Sequence, residues 1–269
     1  MKKLIIVGDN GLVGSHFTSK FSDQYSITGY NRTNSLKFSL PENFDALIYL
    51  AQSTDYKSLK MTNDLMQVNV SLLYQFLENA VGKTNKVIVF STGSVYKFGD
   101  HKAVDEHSLL NHFSSNPYIA SKLMGEEVTT TFKPYFKEII IVRPFFIYGK
   151  GQKSNMLFSA MINNVKSGNT IFLNQNKGLI FNPVHSDDSA DFIHYCLTGE
   201  FLGINIFNLF GPNEVSLYDV VSEIESVSGI KAKISVKDEP VNYLTGSTVN
   251  HDFKSKVTIK DGLKSMLSD

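Results

Sequence analysis

Along the first 150 residues, short and nearly continuous apolar runs alternate with longer stretches in which apolar residues recur every three or four positions. The runs fall at residues 4–7, 26–30, 46–50, 87–90 and 139–142. Runs of this kind suit strands covered on both faces. Residues 12–21, 65–81 and 117–132 carry the helical spacing. Strands alternating with helices predict an α/β fold, a doubly wound parallel sheet with helices on both sides. Beyond residue 150 the alternation loosens. Residues 156–165, 189–197 and 218–227 read as helices, and 170–173, 204–209 and 232–236 as strands. There is no repeat and no low-complexity linker, so a smaller substrate-binding lobe is expected to interleave with the sheet. Residues 1–150, joined by 183–210, are assigned to the sheet domain, and 151–182 with 211–269 to the lobe.

Composition narrows the partners. A hydrophobic content of 42% over 269 residues supplies a sizeable core. Lys+Arg and Asp+Glu number 26 each, so no net field draws the chain to nucleic acid or to an anionic membrane. Cys196 has no partner for an internal disulfide. The first apolar run is ended by Gly8 and Asp9, too early for a signal peptide. No stretch approaches the roughly 20 apolar residues of a membrane span. The expectation is a soluble, cytoplasmic protein acting on a small molecule.

Directly after the first run comes Gly8-Asp9-Asn10-Gly11-Leu12-Val13-Gly14. Three glycines between a strand and a helix have separate tasks. Gly8 allows the turn, Gly11 lets the backbone approach phosphates, and Gly14 lets the helix pack on the strand. The helix start then offers free N–H groups to a pyrophosphate. This is a Rossmann-type dinucleotide turn, with Asn10 and Leu12 beside the cofactor. The second strand ends Gly29-Tyr30-Asn31-Arg32. It lacks the acidic residue that holds the ribose of NAD. Asn31 is neutral and Arg32 suits a 2′-phosphate, so NADP(H) is favoured and NAD(H) remains open. Phe38 and Ser39 are expected near the adenine. Leu50, Ala51 and Gln52, with Ser53 and Thr54, follow the third strand and are expected to line the cofactor site.

Tyr118-Ile119-Ala120-Ser121-Lys122 supplies the chemistry. Residues four apart share a helix face, so Tyr118 and Lys122 can address one site. Asn116 and Pro117 form a cap and first position, which puts Tyr118 in the first turn. A nearby ammonium and the helix dipole predict a phenol tuned down toward neutrality, able to exchange a proton with a carbonyl or hydroxyl. A third hydroxyl is expected after the strand at 87–90. Thr92 is the first choice, with Ser91 and Ser94 behind it. His101, His107 and His112 read as exposed loop residues. His185, beside Asp187 and Asp188, reads as a cap of the next helix, and no metal-ligand set is present.

With these motifs the chain resembles the extended short-chain dehydrogenase/reductases, the NAD-dependent epimerase/dehydratase group. Leu50-Ala51 resembles the group's His-Leu-Ala-Ala strand end, with Tyr49 in place of the histidine. Asn69 in Val68-Asn69-Val70 is similar to its helix asparagine. Ser91-Thr92-Gly93-Ser94-Val95-Tyr96 resembles its Ser-Thr-x-x-Val-Tyr segment. Arg143-Pro144-Phe145-Phe146-Ile147-Tyr148-Gly149 resembles its Arg-Pro-x-Asn-Val-Tyr-Gly block, and Asn182-Pro183-Val184-His185-Ser186-Asp187-Asp188 resembles the block ending in Val-Asp-Asp. The resemblance implies Tyr118 as acid/base, Lys122 as its tuner and ribose contact, Thr92 on the substrate oxygen, and Ser91, Asn69 and Tyr118 among the cofactor-site residues. It also implies a homodimer through helices 65–81 and 117–132. Two departures stand out. Phe146 occupies the usual asparagine position. Phe181 sits near the place of an arginine that clamps a substrate diphosphate, leaving Lys150, Lys153 or Lys177 as substitutes.

The reading that follows is an NADP(H)-dependent reductase of a nucleotide-linked 4-keto sugar. The first alternative is a nucleotide-sugar 4-epimerase with tightly bound NAD, and the second is a non-catalytic NADP(H) sensor. A dehydratase lacks its acid/base pair, because Gly93 and Ser94 stand where that pair is needed.

Overall fold

The computed structural model describes residues 1–34, 38–99 and 102–268; His101 lies outside them. In chain order the elements are β1 (Lys2–Val7), α1 (Leu12–Phe21), β2 (Tyr25–Tyr30) and β3 (Ala46–Tyr49). One long helix follows, in three parts: α2 (Asn63–Met66), a π turn (Gln67–Ser71) and α3 (Leu72–Ala80). Then come β4 (Lys86–Phe90), a 3₁₀ turn (Gly93–Val95), α4 (Pro117–Thr131), β5 (Glu138–Pro144) and α5 (Leu157–Lys166). The remainder is β6 (Thr170–Asn174), β7 (Leu179–Phe181), α6 (Ser186–Thr198), β8 (Gly203–Leu209), β9 (Val215–Ser216), α7 (Leu217–Ser228), β10 (Lys233–Lys237), β11 (Asn242–Leu244) and α8 (Ile259–Leu267).

Six strands form one parallel sheet in the order β2-β1-β3-β4-β5-β8. Side chains of β1 alternate between its faces. Leu4 and Ile6 pack with Phe17, Phe21 and Ile193, while Ile5 and Val7 pack with Leu72, Phe76 and Phe136. Both faces are covered, which is why the strands read as continuous apolar runs. Cys196 is buried in the first of these clusters. β1 lies between β2 and β3, so chain direction across the sheet reverses there. The crevice beyond the carboxyl ends at such a point is where ligands bind.

The later segments build a separate cluster from Phe158, Val165, Leu173, Phe181, Val220, Ile224 and Leu263. β6 pairs with β10, and β7 lies between β11 and β9. Three strands here, β7, β9 and β11, have three residues or fewer and leave no period in the sequence. α8 buries only Gly262 and Leu263, too narrow a stripe to register. Tyr148 belongs to this cluster. Its ring stacks on Phe158 at 4.2 Å and its hydroxyl donates to the Thr258 carbonyl.

The helix expected at 65–81 is interrupted. The Tyr49 hydroxyl donates to the Val68 carbonyl, and Asn69 sits in the π turn. A π turn inside an α-helix commonly marks a functional position. Among the described residues no helix is long and apolar enough to cross a membrane.

Candidate active site

The turn after β1 is built as its glycines require. Gly8 has φ +96°, and a Cβ there would come within 2.8 Å of the Ala51 nitrogen. A Cβ on Gly14 would meet the Gly8 carbonyl oxygen at 2.3 Å. The backbone closes with Gly8 N–H donating to Tyr30 O and Gly11 N–H to Gly8 O. α1 starts at Gly11 with no side-chain cap and no acid in its first turn. Its first N–H groups are left for an anion.

These groups open into a cleft of about 560 Å³. Gly8, Asn10, Gly11, Leu12 and Gly14 line it, as do Asn31, Arg32, Leu50, Ala51, Gln52, Ser91 and Lys122. Asn69, Thr92 and Tyr118 do not. The Asn69 amide is buried and employed as a brace. Its oxygen accepts from Ser53 N–H, and its nitrogen donates to Ser121 Oγ at 2.9 Å. It ties the loop after β3 to α4 and is a positioning residue. Phe38 stacks on Phe76 at 3.8 Å and does not flank the cleft. The Asn31 side chain is spent on its own turn, accepting from Thr33 N–H and Oγ.

Arg32 is not an idle cation. One guanidinium nitrogen donates to Thr54 Oγ1 at 3.2 Å and lies 3.5 Å from Asp64 Oδ1. Arg32 lines the cleft as expected, but a carboxylate from α2 also faces it. Sequence reasoning missed Asp64; it is 32 residues from Arg32 and only the fold brings them together.

Tyr118 follows its cap as expected. Asn116 Oδ1 accepts from Tyr118 N–H at 2.9 Å, with Pro117 in the first turn. The half-buried phenol faces the Thr92 side chain, and Thr92 Oγ1 caps the 3₁₀ turn by accepting from Ser94 N–H. The expected tuning is reversed. Burial pushes the Tyr118 phenol up to about 12, against a smaller lowering by Thr92. Burial pushes the Lys122 ammonium down to about 8, against the pull of Glu126. Lys122 Nζ donates to the Phe90 carbonyl at 2.9 Å, so its charge is held at the end of β4. Removing water from both groups outweighs their neighbours, a balance that helical spacing alone does not reveal.

Behind Lys122 lies a buried chain of polar groups. Glu126 takes both Nε and Nη2 of Arg143, and Arg143 Nη1 donates to Tyr96, whose hydroxyl reaches Asn208 Oδ1. On the other side of the cleft the loop after β3 folds over it. Tyr56 meets Tyr118 edge-to-face at 6.5 Å, and Lys57 Nζ donates to the Asn155 carbonyl. Residues 151–156 supply Gly151, Gln152, Lys153, Asn155 and Met156 to the lining. Of these only Lys153 was a candidate in the sequence.

The two family departures are packed in the lobe. Phe146 holds φ +48°, a strained conformation for a bulky residue that asparagine tolerates far better. Its ring sits 5.1 Å from that of buried Phe181. Lys150 donates to the Ser268 carbonyl, Lys177 lies in the exposed turn between β6 and β7, and Lys153 lines the cleft. His185 caps α6 by accepting from Asp187 N–H, while His107 and His112 are exposed.

Two further features fit a dinucleotide to the cleft. The start of α1 is uncapped, and the Ser91 and Tyr56 hydroxyls, both on residues of the lining, are buried without partners. Fold and site together define a Rossmann-type nucleotide-dependent enzyme. The model of the NAD dependent epimerase/dehydratase family matches residues 4–209. The chain belongs to that family and is an NAD(P)-dependent enzyme of the extended short-chain dehydrogenase/reductase type. It is 27% identical over 259 residues to the uncharacterized UDP-glucose epimerase YtcB of Bacillus subtilis (strain 168), covering 88% of this chain and 78% of that one. Its fold matches UDP-glucuronic acid 4-epimerase from Bacillus cereus in complex with UDP-glucuronic acid and NAD, at 22% identity and a TM-score of 0.83, covering 98% of this chain and 97% of that one. It also matches RMD from Pseudomonas aeruginosa complexed with NADPH, at 20% identity and a TM-score of 0.82, covering 99% of this chain and 98% of that one.

Proposed function

We propose that this protein is a nucleotide-sugar 4-epimerase that retains NAD between turnovers. The observation that carries the reading is the convergence of three side chains: Tyr118 faces Thr92, and Lys122, one turn along α4 from Tyr118, donates to the Phe90 carbonyl at the end of β4. The likeness to relatives named for UDP-sugar epimerisation supports the reaction. The bound dinucleotide would accept a hydride from the sugar carbon and give the same hydride back to the other face of the ketone. Gly8, Gly11 and the start of α1 would hold its pyrophosphate, and Ser91 and Lys122, which line the same cleft, would hold its nicotinamide half. Thr92 holds the sugar oxygen while the Tyr118 phenolate takes its proton, then returns it after the ketone has turned over. Lys122 steadies the phenolate through its charge. With Phe181 in the place of the arginine, Lys153 is the cation assigned to the substrate diphosphate.

The test is a panel of UDP-linked hexoses and hexuronic acids without added nicotinamide nucleotide. The expected result is conversion of one member to its C4 epimer, halting at a fixed ratio, with no net change in nicotinamide absorbance. Product formed only as NADPH is consumed would establish the reductase. That second reading keeps one observation, the NADPH-bound fold relative. Its other motive, Arg32, is weakened by Asp64.

We also propose a homodimer through α3 and α4. Tyr74 and Met124, 43% and 44% exposed, lie on these two helices, and Tyr135 follows them. Sedimentation equilibrium is expected to give twice the 30.1 kDa chain mass, and Met124→Glu to give the single chain, since a charge at the centre of an apolar interface is left unpaired.

A further inference from the structure

The end of the cleft beside β2 is lined by Arg32, and one anion, Asp64, stands behind it without lining the cleft itself. Arg32 extends from the end of β2 and is 62% exposed along its side chain. Asp64 stands against it from the first turn of α2. The carboxylate does not swing on a free arm. Its Oδ2 accepts from Ser53 Oγ and from Thr54 N–H at 3.0 Å, and the same loop is pinned by Asn69 through Ser53 N–H. Thr54, Ser53 and Arg32 all line the cleft. The second strand meanwhile contributes no acid, since Asn31 is neutral.

We propose that Asp64 is the cofactor-selecting residue of this site: by occupying the Arg32 guanidinium from a fixed position, it turns the ribose end of the cleft against a 2′-phosphate and toward NAD(H). A phosphate monoester brings nearly two negative charges at neutral pH. To reach Arg32 it must displace Asp64 or lie beside it. Displacement breaks two hydrogen bonds that hold the loop after β3, and coexistence sets like charges against each other. A free 2′-hydroxyl brings no charge and leaves the Arg32–Asp64 pair in place. The Arg32–Asp64 pair is itself an exposed contact of little worth to stability; its consequence lies in what it rejects. An acid from α2 would thus do for NAD(H) what an acid at the end of the second strand ordinarily does, and it would leave Arg32 neutralised.

This inference rests on the cleft holding a nicotinamide dinucleotide but not on the reaction catalysed. It is therefore tested without sugar. The protein is equilibrated with equal concentrations of NAD⁺ and NADP⁺, exchange being verified with radiolabelled NAD⁺. Free nucleotide is removed by rapid gel filtration, and the bound nucleotides are released by acid and quantified. The wild type is expected to carry NAD⁺ over NADP⁺ by about tenfold or more, the size of one like-charge contact near a surface. Asp64→Asn keeps an acceptor for Ser53 and Thr54 and so keeps the loop. It is expected to cut that ratio about tenfold through tighter NADP⁺ binding, and Arg32→Ala added to it should reverse the gain. A ratio that stays within about twofold in Asp64→Asn, or that moves further toward NAD⁺, overturns the assignment. The latter outcome would mean that Asp64 orients Arg32 for a phosphate. Either failure leaves the epimerase test standing, and an inactive enzyme would leave this ratio unchanged.

Discussion

Tyr118→Phe is expected to lower the rate of sugar epimerisation by about 10²–10⁴-fold, the range of a single positioned acid/base, while leaving dinucleotide binding within about twofold of wild type. The two effects separate because Tyr118 does not line the cleft that holds the nucleotide. Phenylalanine keeps the ring that meets Tyr56 edge-to-face and keeps the backbone N–H that Asn116 caps. Only the hydroxyl that faces Thr92 is lost. The pH profile carries a second readout. A phenol raised to about 12 by burial is protonated at neutrality, and acting as a base demands loss of that proton. The wild-type rate is therefore expected to rise with pH through neutrality, and the residual rate of Tyr118→Phe to be flat. Steady-state kinetics across pH and a fluorescence titration with NAD⁺ measure both. A variant as active as wild type would remove Tyr118 from the chemistry.

Glu126→Ala is expected to destabilise the fold by about 3–5 kcal/mol, the cost of leaving one charge of a buried pair without its partner. Arg143 is only 2% exposed and Glu126 7%. The guanidinium is gripped at both Nε and Nη2, with contacts of 3.0 and 2.6 Å. Arginine does not escape by losing its proton. Tyr96 would remain as its one partner, at 2.9 Å. At roughly 2–4 °C per kcal/mol for a chain of this size, thermal unfolding should fall by roughly 10 °C. Replacing both partners with apolar residues, Glu126→Leu with Arg143→Met, should recover most of the loss, because no charge is then stranded. The single variant should also lose activity beyond its instability. Glu126 supports the Lys122 ammonium against burial, and without it Lys122 drops further below its ordinary range.

Local order was legible in the residues themselves. The apolar runs gave β1, β3, β4 and β5 because both faces of the sheet are covered there, while β2, at the sheet edge with Ser26 and Thr28 exposed, showed the weaker run. The glycine turn was legible because Gly8 and Gly14 stand where a Cβ collides with backbone. The start of α4 was legible because Asn116 and Pro117 are local signals. A one-turn separation placed Tyr118 and Lys122 on the same helix, and proximity along the chain was sufficient for that.

Tertiary structure decided what depends on water and on distant chain. Whether Tyr118 is tuned down or up turned on burial, which no spacing encodes, and burial won. Which group faces Arg32 turned on Asp64, held in place by Ser53 and Thr54 of the loop after β3. The contact of Thr92 with Tyr118 joins the end of β4 to the start of α4 across 26 positions of sequence. Short strands such as β7 and β11 exist only because neighbours supply their hydrogen bonds. Sequence fixes the conformations that a residue and its near neighbours prefer, since those energies are local. Charge, solvent exclusion and the partner across the cleft are properties of the assembled chain, because each depends on groups brought together only by folding.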